Sequence, residues 1–299
     1  MKSVNTIIKT LNRFFVNFIL NIWVNLSKLI KNDVLFLKVY YFLKMKEYLN
    51  LKSPRTYTQK IQWLKLHNKS KMCSDLVDKY TVKCIVSQLI GEKHIIPLIG
   101  VWEKFEDINF DVLPEQFVLK TTHDSGNVVI CKNKKDIDFE LLKLRFNKAL
   151  KMNYFYKSRE YPYKNVVPRL IAEEYMIDKN NSELIDYKFF CFHGEPKFLQ
   201  ISKKINDVRR VSYYDLEFNL LQFTTDGYNS YMFEKPMLFD EMKTIASVLS
   251  KNIIHVRIDL YVINNQVYFG EYTFHNNGGI IHFNPKDWNK RIGDFINLK

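Results

Sequence analysis

Three groups of side chains in this 299-residue chain have types and spacings suited to phosphate and divalent-cation chemistry. The first lies on two strand-like runs. Ile254, Val256, Ile258, Leu260 and Val262 alternate with His255, Arg257, Asp259 and Tyr261, so one face is apolar and the other polar. The partner run, Gln266 to Thr273, ends in Glu271-Tyr272-Thr273. A three-residue loop, Asn264 to Gln266, puts Asp259 opposite Glu271 and gathers Arg257, Asp259, Glu271 and Thr273 on one face. A two-residue loop would turn Glu271 to the other face, so the three-residue loop is expected. Facing carboxylates repel unless a cation lies between them, and such hard oxygens suit Mg2+ bridging phosphates. An Arg–Asp–Glu ion-pair cluster is the alternative.

The second group surrounds Lys120, which ends the apolar run Gln116–Lys120 before the polar loop Thr121-Thr122-His123-Asp124-Ser125-Gly126. The run Asn127–Cys131 follows as a second strand. Such a lysine can meet phosphates while the loop offers a hydroxyl and backbone N–H donors. A solvated hairpin lysine is the reading that the pattern alone favours. The third group is Asp186-Tyr187-Lys188, on a strand soon after Glu173-Glu174-Tyr175-Met176. An acidic strand end leading into a bend offers backbone groups and a carboxylate to an adenine edge, with Lys188 reaching phosphates. A charged edge that discourages sheet aggregation is the other reading.

The elements that must position these groups read as α+β. Helices are expected from Ser53-Pro54 through Lys65, from Ser74 to Ile90 with Gly91 ending it, over 139–152, and over 239–250. Strands are expected at 167–176, 184–192, 197–201 and 210–214, besides the runs already named. No internal repeat and no Pro/Gly/Ser linker divides the body.

Composition narrows the function classes. With 46% hydrophobic and 15% aromatic residues the chain is not disordered, and 9 Gly with 8 Pro exclude collagen-like repeats. The net charge is +13, but residues 1–71 hold 14 Lys/Arg against Asp33 and Glu47. The remaining body is nearly neutral, which argues against a basic groove along the fold, and no nucleic-acid partner is expected. The four cysteines lack metal-ligand spacing and read as reduced, mostly buried thiols of a cytoplasmic protein.

The basic front end reads as a helix over residues 5–30 with a polar stripe of Arg13, Asn17, Asn21, Asn25 and Lys28. Its charge-free stretch, Phe14 to Ser27, is 14 residues long, too short to span a bilayer. A second apolar run, Val34 to Leu43, is flanked by Lys31, Lys38, Lys44 and Lys46. Such a segment suits either an anionic membrane surface or a helical layer packed on the body.

Taken together, these pieces resemble the ATP-grasp superfamily, and more narrowly the TupA-like (teichuronopeptide-biosynthesis) ATP-grasp family of bacterial surface-polysaccharide clusters. The segments that carry the resemblance are SPRTYTQKIQWLKL (53–66), DKYTVK (78–83), HIIPLIGVW (94–102), LPEQFVLKTTHDSGN (113–127), IAEEYM (171–176), DYKFFCFHGEPKFL (186–199), VRIDLYVINNQVYFGEYTF (256–274) and IGDF (292–295). The resemblance implies an α+β ATP-grasp fold, two subdomains clasping ATP. The expected division is a basic amphipathic segment over 1–48, an N-terminal region over 49–112, and subdomains over 113–176 and 177–299.

The same resemblance implies that Lys120 and Lys188 contact ATP phosphates and that Ser125 and Gly126 close over them. Glu173, Glu174, Tyr175 and Met176 become the adenine hinge. Asp259, Glu271 and Thr273 hold Mg2+, and Arg257 steadies developing charge. Three positions depart from the family pattern: Thr273 where Asn is usual, Asp124 in the phosphate loop, and Gln59 before Lys60. Asp124 is expected to point away from the phosphates. The implied activity is ATP-dependent ligation of an amine to a carboxylated sugar of a surface glycan. Residues 1–45 lie outside the resemblance, and it is their charge excess and apolar runs that read as holding a cytoplasmic enzyme at the membrane face. A glycosyltransferase of polysaccharide biosynthesis and a non-catalytic membrane- or nucleic-acid-binding protein are the alternatives.

Overall fold

The structure, a computed structural model, describes residues 18–179, 184–228 and 230–298. The start of the expected first helix, with Arg13 and Asn17, lies outside the described residues; residues 18–25 are helical.

Two antiparallel sheets frame the molecule. The first contains β1 (Leu98–Trp102), β2 (Phe117–Thr121), β3 (Val128–Cys131) and β4 (Leu170–Glu174), in the order β1-β4-β2-β3. On β2, Phe117 and Leu119 face a core with Leu170 and Ala172 of β4 and Phe146 of the helix Phe139–Leu150. Strand alternation turns Val118, Lys120 and Glu173 to the opposite face. The second sheet contains β5 (Asp186–Phe192), β6 (Glu195–Ile205) and β7 (Val208–Tyr214). After the short β8 (Thr224–Thr225) it gains β9 (His255–Ile263) and β10 (Gln266–Thr273), in the order β10-β9-β5-β6-β7. The short β11 (Phe283–Asn284) pairs with β8.

The second sheet is covered on both faces. Tyr187, Phe189, Val256, Ile258 and Leu260 pack against Met242, Ile245 and Leu249 of the helix Phe239–Ser250 and against Val82 and Val86 of the helix Thr81–Ile90. Each of these large side chains contributes about 1.5–3 kcal/mol by leaving water. On the other face, Phe190, Phe192 and Phe198 meet Tyr57 and Ile61 of the helix Tyr57–His67 and Ile292 of the helix Trp288–Asp294. That second core covers one end of the face and leaves the end bearing Arg257 and Asp259 for polar groups.

Two expectations about local structure are corrected. The helix expected over 74–90 is two helices, Lys71–Val77 and Thr81–Ile90. Asp78 interrupts it: its side chain accepts from the Tyr80 backbone N–H (3.0 Å) and the Thr81 hydroxyl (2.9 Å), offering the backbone an alternative to continued helix. The β9–β10 loop has two residues, not three. Asn264 and Asn265 sit at φ 50° and 60°, the left-handed pair of a tight hairpin, and Ile263 pairs with Gln266. Even so, Asp259 pairs with Glu271, because the register slips by one residue between Phe269 and Glu271. A bulge at Gly270 supplies the extra residue that the longer loop was expected to supply. The position needs glycine: an added Cβ would lie 2.9 Å from Tyr261 Cε2 and 3.0 Å from the Asp259 carbonyl oxygen.

The front end packs on the body. The helix Asp33–Met45 starts at Asn32, whose side chain accepts from the Leu35 N–H (3.0 Å), and it buries Phe36, Leu37, Tyr41 and Met45. Arg159, 2% exposed, holds it. The Arg159 guanidinium donates to the carbonyls of Ser27 (2.7 Å) and Ile30 (2.6 Å), lies 2.7 Å from Asp33 Oδ1, and covers the Phe36 ring at 4.2 Å. Replacing Arg159 with Met strands those buried acceptors. Arg159→Met is expected to cost roughly 3 kcal/mol of stability and to open the 30–50 segment to limited proteolysis before the sheets. An unaltered digestion pattern would show that other contacts hold the segment.

Candidate functional site

Between the sheets lies a cavity of about 260 Å3. Val118, Ile130, Met176, Leu184 and Phe269 give it apolar walls, and Lys79, Lys83 and Lys120 supply three cations. Their placement follows from the elements. Lys120 points into the cavity because β2 alternates, and Lys79 and Lys83 flank the start of the helix that Asp78 restarts. The Lys79 ammonium donates to the Asp124 carbonyl, and the Lys79 N–H donates to the Thr122 carbonyl (3.2 Å). The loop over 121–127 is thereby tied to that helix. Asp124 is buried and turned into its own loop, accepting from the Thr121 hydroxyl and the Asn127 amide.

Glu173 stands between two of these cations, 2.6 Å from Lys120 Nζ and 2.7 Å from Lys83 Nζ. Burial pushes its carboxyl up, but the two lysines outweigh this and hold it below the usual carboxylate range. Burial lowers Lys83 and Lys79, with Glu173 and Glu271 respectively opposing that shift.

A second cavity of about 300 Å3 adjoins the first through Glu271, which lines both. Arg257 and Thr273 of the second sheet, Ser125 of the loop, and Tyr40, Tyr154, Lys157, Glu160, Tyr163 and His275 complete most of its wall. Arg257 grips Asp259 with two nitrogens, Nε to Oδ1 at 2.6 Å and Nη2 to Oδ2 at 2.7 Å. The same Nη2 reaches Glu271 Oε1 at 3.3 Å and Thr273 Oγ1 at 3.1 Å, and Nη1 donates to the Asn276 side chain. Lys188, paired with Asp259 across β5 and β9, lies 3.3 Å from its carboxylate and 3.5 Å from Asp186. Burial raises the Asp259 carboxyl, but Arg257 and Lys188 bring it below its ordinary value.

Beneath this cavity, Lys65 is 2% exposed and donates to the carbonyls of Ser158 (2.8 Å) and Gly278 (2.6 Å). Burial lowers its ammonium to about 8, against the pull of Glu160. It fixes two parts of the cavity floor to one helix.

The donor set at the junction is all hard oxygen: the Asp259 and Glu271 carboxylates, the Thr273 hydroxyl and the Asn276 amide oxygen. Among the described residues no group of three or more His, Cys, Asp or Glu is arranged to hold a metal unaided. Glu271 and Thr273 line the cavity, while Asp259 lies behind Arg257 and would have to exchange that partner to join them around Mg2+, which completes its shell with substrate oxygens and water.

Residues 59–297 match the family model for TupA-like ATP-grasp proteins. The chain belongs to the TupA-like ATP-grasp family. It is an ATP-grasp enzyme of the α+β class. Similar solved structures include D-alanine–D-alanine ligase from Bacillus anthracis, with 18% identity and TM-score 0.40 over 68% of this chain and 59% of that one. The N5-carboxyaminoimidazole ribonucleotide synthetase from Thermus thermophilus has 11% identity and TM-score 0.37 over 67% and 45%. The ATP-grasp ligase PsnB, solved with a precursor variant, Mg and ADP, has 8% identity and TM-score 0.40 over 73% and 57%. The chain spans less than two thirds of each of these proteins' lengths. A search of curated protein sequences found no significant match.

In this TupA-like chain the residues singled out from the sequence divide between the cavities. Lys120, Glu173, Glu174, Tyr175, Met176 and Glu271 line the first; Ser125, Arg257, Thr273 and again Glu271 line the second. Gly126 is at the exposed loop tip with φ +107°. Asp259 and Lys188 stand behind Arg257 as its counter-charge and that carboxylate's second partner. Glu173 departs from the expected hinge role, since its carboxylate is engaged by two lysines rather than open to a base edge. Sequence reasoning passed over Lys79 and Lys83. Their signal was present as two lysines four residues apart in DKYTVK.

Glu173→Gln leaves Lys83 and Lys120 without their shared counter-charge and is expected to cost about 1–3 kcal/mol at pH 7. A carboxyl held low in the fold contributes stability that is present above its unfolded value, about 4.3, and lost as pH falls through the folded one. The gap between wild type and variant in denaturant unfolding should therefore close on acidification below about pH 4. A gap unchanged at about pH 3 would assign the loss to packing.

Proposed function

We propose that this enzyme is an ATP-dependent carboxylate–amine ligase that forms an amide on a carboxylated sugar of a cell-surface polysaccharide. The observation that carries the reading is Glu271, which is shared by an apolar, lysine-lined cavity and a polar one. A γ-phosphate held by the first would meet a carboxylate held by the second at that residue.

In this reading the base of ATP lies against Val118, Ile130, Met176 and Phe269, with the backbone at Glu174, Tyr175 and Met176 reading its edge. Lys79, Lys83 and Lys120 meet the phosphates. Asp259, Glu271 and Thr273 would hold Mg2+, which when bound neutralises charge on the phosphates and leaving group. Lys188 holds Asp259, and reaching phosphate as the resemblance implies requires it to leave that carboxylate. The acceptor carboxylate oxygen attacks the γ-phosphorus and ADP leaves. The amine then attacks the acyl carbon, phosphate departs and the nitrogen loses a proton. Arg257, oriented by its two bonds to Asp259, is set to stabilise the charge that develops on the transferring group. Ser125 and Gly126 sit on the loop that would exclude water from the acyl phosphate.

The front end supports a second element of the proposal, a peripheral contact with the cytoplasmic face of the membrane. Phe18, Ile22, Leu26 and Leu29 are exposed, Leu29 at 75%, while the other side of this segment packs on the body. Lys28 and Lys31 lie beside that face, the pairing that anionic bilayers attract. No helix among the described residues is long and apolar enough to cross a membrane.

Two measurements test the proposal. Asp259→Asn and Glu271→Gln are each expected to lower substrate-dependent ADP release by roughly 100-fold or more; sugar-nucleotide consumption with no ATP turnover would favour a glycosyltransferase instead. Binding to vesicles of phosphatidylglycerol should fall when Phe18 and Leu29 are both changed to Ser, and equal flotation of variant and wild type would reject the membrane contact.

A further inference from the structure

The segment QKIQWLK places two polar residues where a helix packed on a core ordinarily carries apolar ones. Gln62 and Lys65, three residues apart, share a face of the helix Tyr57–His67 beside the core residues Ile61 and Leu64. Both are buried, which is costly unless their polar groups are bonded. Their bonds converge on one turn. Gln62 Nε2 donates to the carbonyls of Gly278 (3.0 Å) and Gly279 (3.1 Å), and Lys65 Nζ donates to that of Gly278 (2.6 Å). A third residue of the helix, Lys60, makes a comparable pair of bonds elsewhere. Its ammonium donates to the carbonyls of Gly293 (2.9 Å) and Ile296 (2.7 Å), at the far end of the chain.

The turn that Gln62 and Lys65 hold is one a chain does not adopt unaided. Asn277, Gly278 and Gly279 follow one another at φ 48°, 60° and 68°. L-residues visit the left-handed region singly rather than in runs, and a strained run persists where its surroundings over-determine it. Helix and turn are in direct contact: a Cβ added at Gly279 would lie 2.5 Å from Gln62 Nε2 and 2.6 Å from Ile61 Cγ2. On the outer side the Asn277 amide donates to Asp226 at 3.2 Å. Asn276, the residue before the run, is buried and accepts from Arg257 Nη1. Asp259 grips Arg257 through Nε and Nη2. The remaining edge of the guanidinium is therefore set by the turn. A flat group held along two edges cannot swing in its plane, which is the freedom an oriented charge must lose.

We infer that Gln62 and Lys65 are positioning residues for Arg257: they fix the left-handed turn over 277–279, and through Asn276 that turn fixes the guanidinium. The inference rests on the ligase reading for what Arg257 does, and it names what holds Arg257 ready to do it. The test uses the full chain carrying labelled arginine and follows the guanidinium groups by NMR, with Arg257→Lys identifying the signals of Arg257. Rotation about its Cζ–Nη1 bond is slow while Asn276 accepts from Nη1. Gln62→Met and Lys65→Met are each expected to speed that rotation by about tenfold or more, as is Asn276→Ala, the loss of one bond to a charged group. Lys60→Met deprives the same helix of two similar bonds and should leave the rotation within about twofold of wild type. Gln62→Met is close in shape and uncharged, so it carries the test should Lys65→Met fail to fold. Unchanged rotation in a folded Gln62→Met overturns the inference. So does an equal change in Lys60→Met, which would assign the effect to general loosening of the helix. A non-hydrolysable ATP analogue with Mg2+ is titrated separately. Its failure to bind wild type would sink the ligase reading and leave the positioning of Arg257 to stand on the rotation rates.

Discussion

The arrangement of the site depends on one extra residue in a strand. With a two-residue turn at Asn264-Asn265, an unbroken ladder would set Asp259 against Gly270 and send Glu271 to the packed face. The slip between Phe269 and Glu271 reverses that parity for everything after it. Val267 and Phe269 before it, and Tyr272 and Phe274 after it, all reach the same core, while Glu271 and Thr273 face Arg257. A bulge serves here better than a longer loop. The tight turn still presents Asn264 to the segment after β4, where its N–H donates to Asp178 and its side chain bonds Ile177 and Lys179. A floppy loop would have fixed the carboxylates at the expense of that anchor.

Charge pairing then sets what the site can bind. Its anionic groups are matched internally: Glu173 by Lys83 and Lys120, Asp259 by Arg257 and Lys188. Matching lets carboxylates and ammonium groups share a part-buried space at tolerable cost. It also means that incoming phosphates compete with Glu173 for its lysines, and that a cation competes with Arg257 for Asp259. Burial lowers Lys79 and Lys83, so new anionic partners would recover solvation these groups lack. The cleft is thus poised toward ligands that bring negative charge and positive counter-charge together, as a metal–nucleotide does.

Much of this was legible in the sequence because alternation is a strong signal. The faces of β2 and β9 follow from QFVLK and from the 254–262 pattern, and they place Lys120, Arg257 and Asp259 without further information. The bulge is written there too, in apolar positions 267 and 269 that continue at 272 and 274 rather than 271 and 273. It reads as a longer loop because both devices restore the same pairing. Lys79 and Lys83 were not legible as site residues. Nothing local brings them to Glu173; that takes Asp78 ending one helix and starting another, and the packing of the second helix on the second sheet so that Lys83 reaches across to Glu173. The second cavity was least legible, since its wall is drawn from residues 40, 125, 154–163 and 257–278.

The helix break at Asp78 ties these features together. In a continuous helix successive side chains turn by about 100°, so Lys79 could not keep both its backbone and its side chain on the 121–127 loop while Val82 and Val86 stay in the core. The break frees the Lys79 N–H for the Thr122 carbonyl and leaves Lys83 one turn further on, opposite Glu173. The loop so anchored carries Ser125 into the second cavity. A displacement of Lys79 by nucleotide phosphates would therefore be felt at Ser125, through the Asp124 carbonyl that Lys79 holds. The two cavities are joined twice, by the carboxylate of Glu271 and by this loop. In the proposed ligase, nucleotide in the first cavity and acceptor in the second would act on the same few bonds.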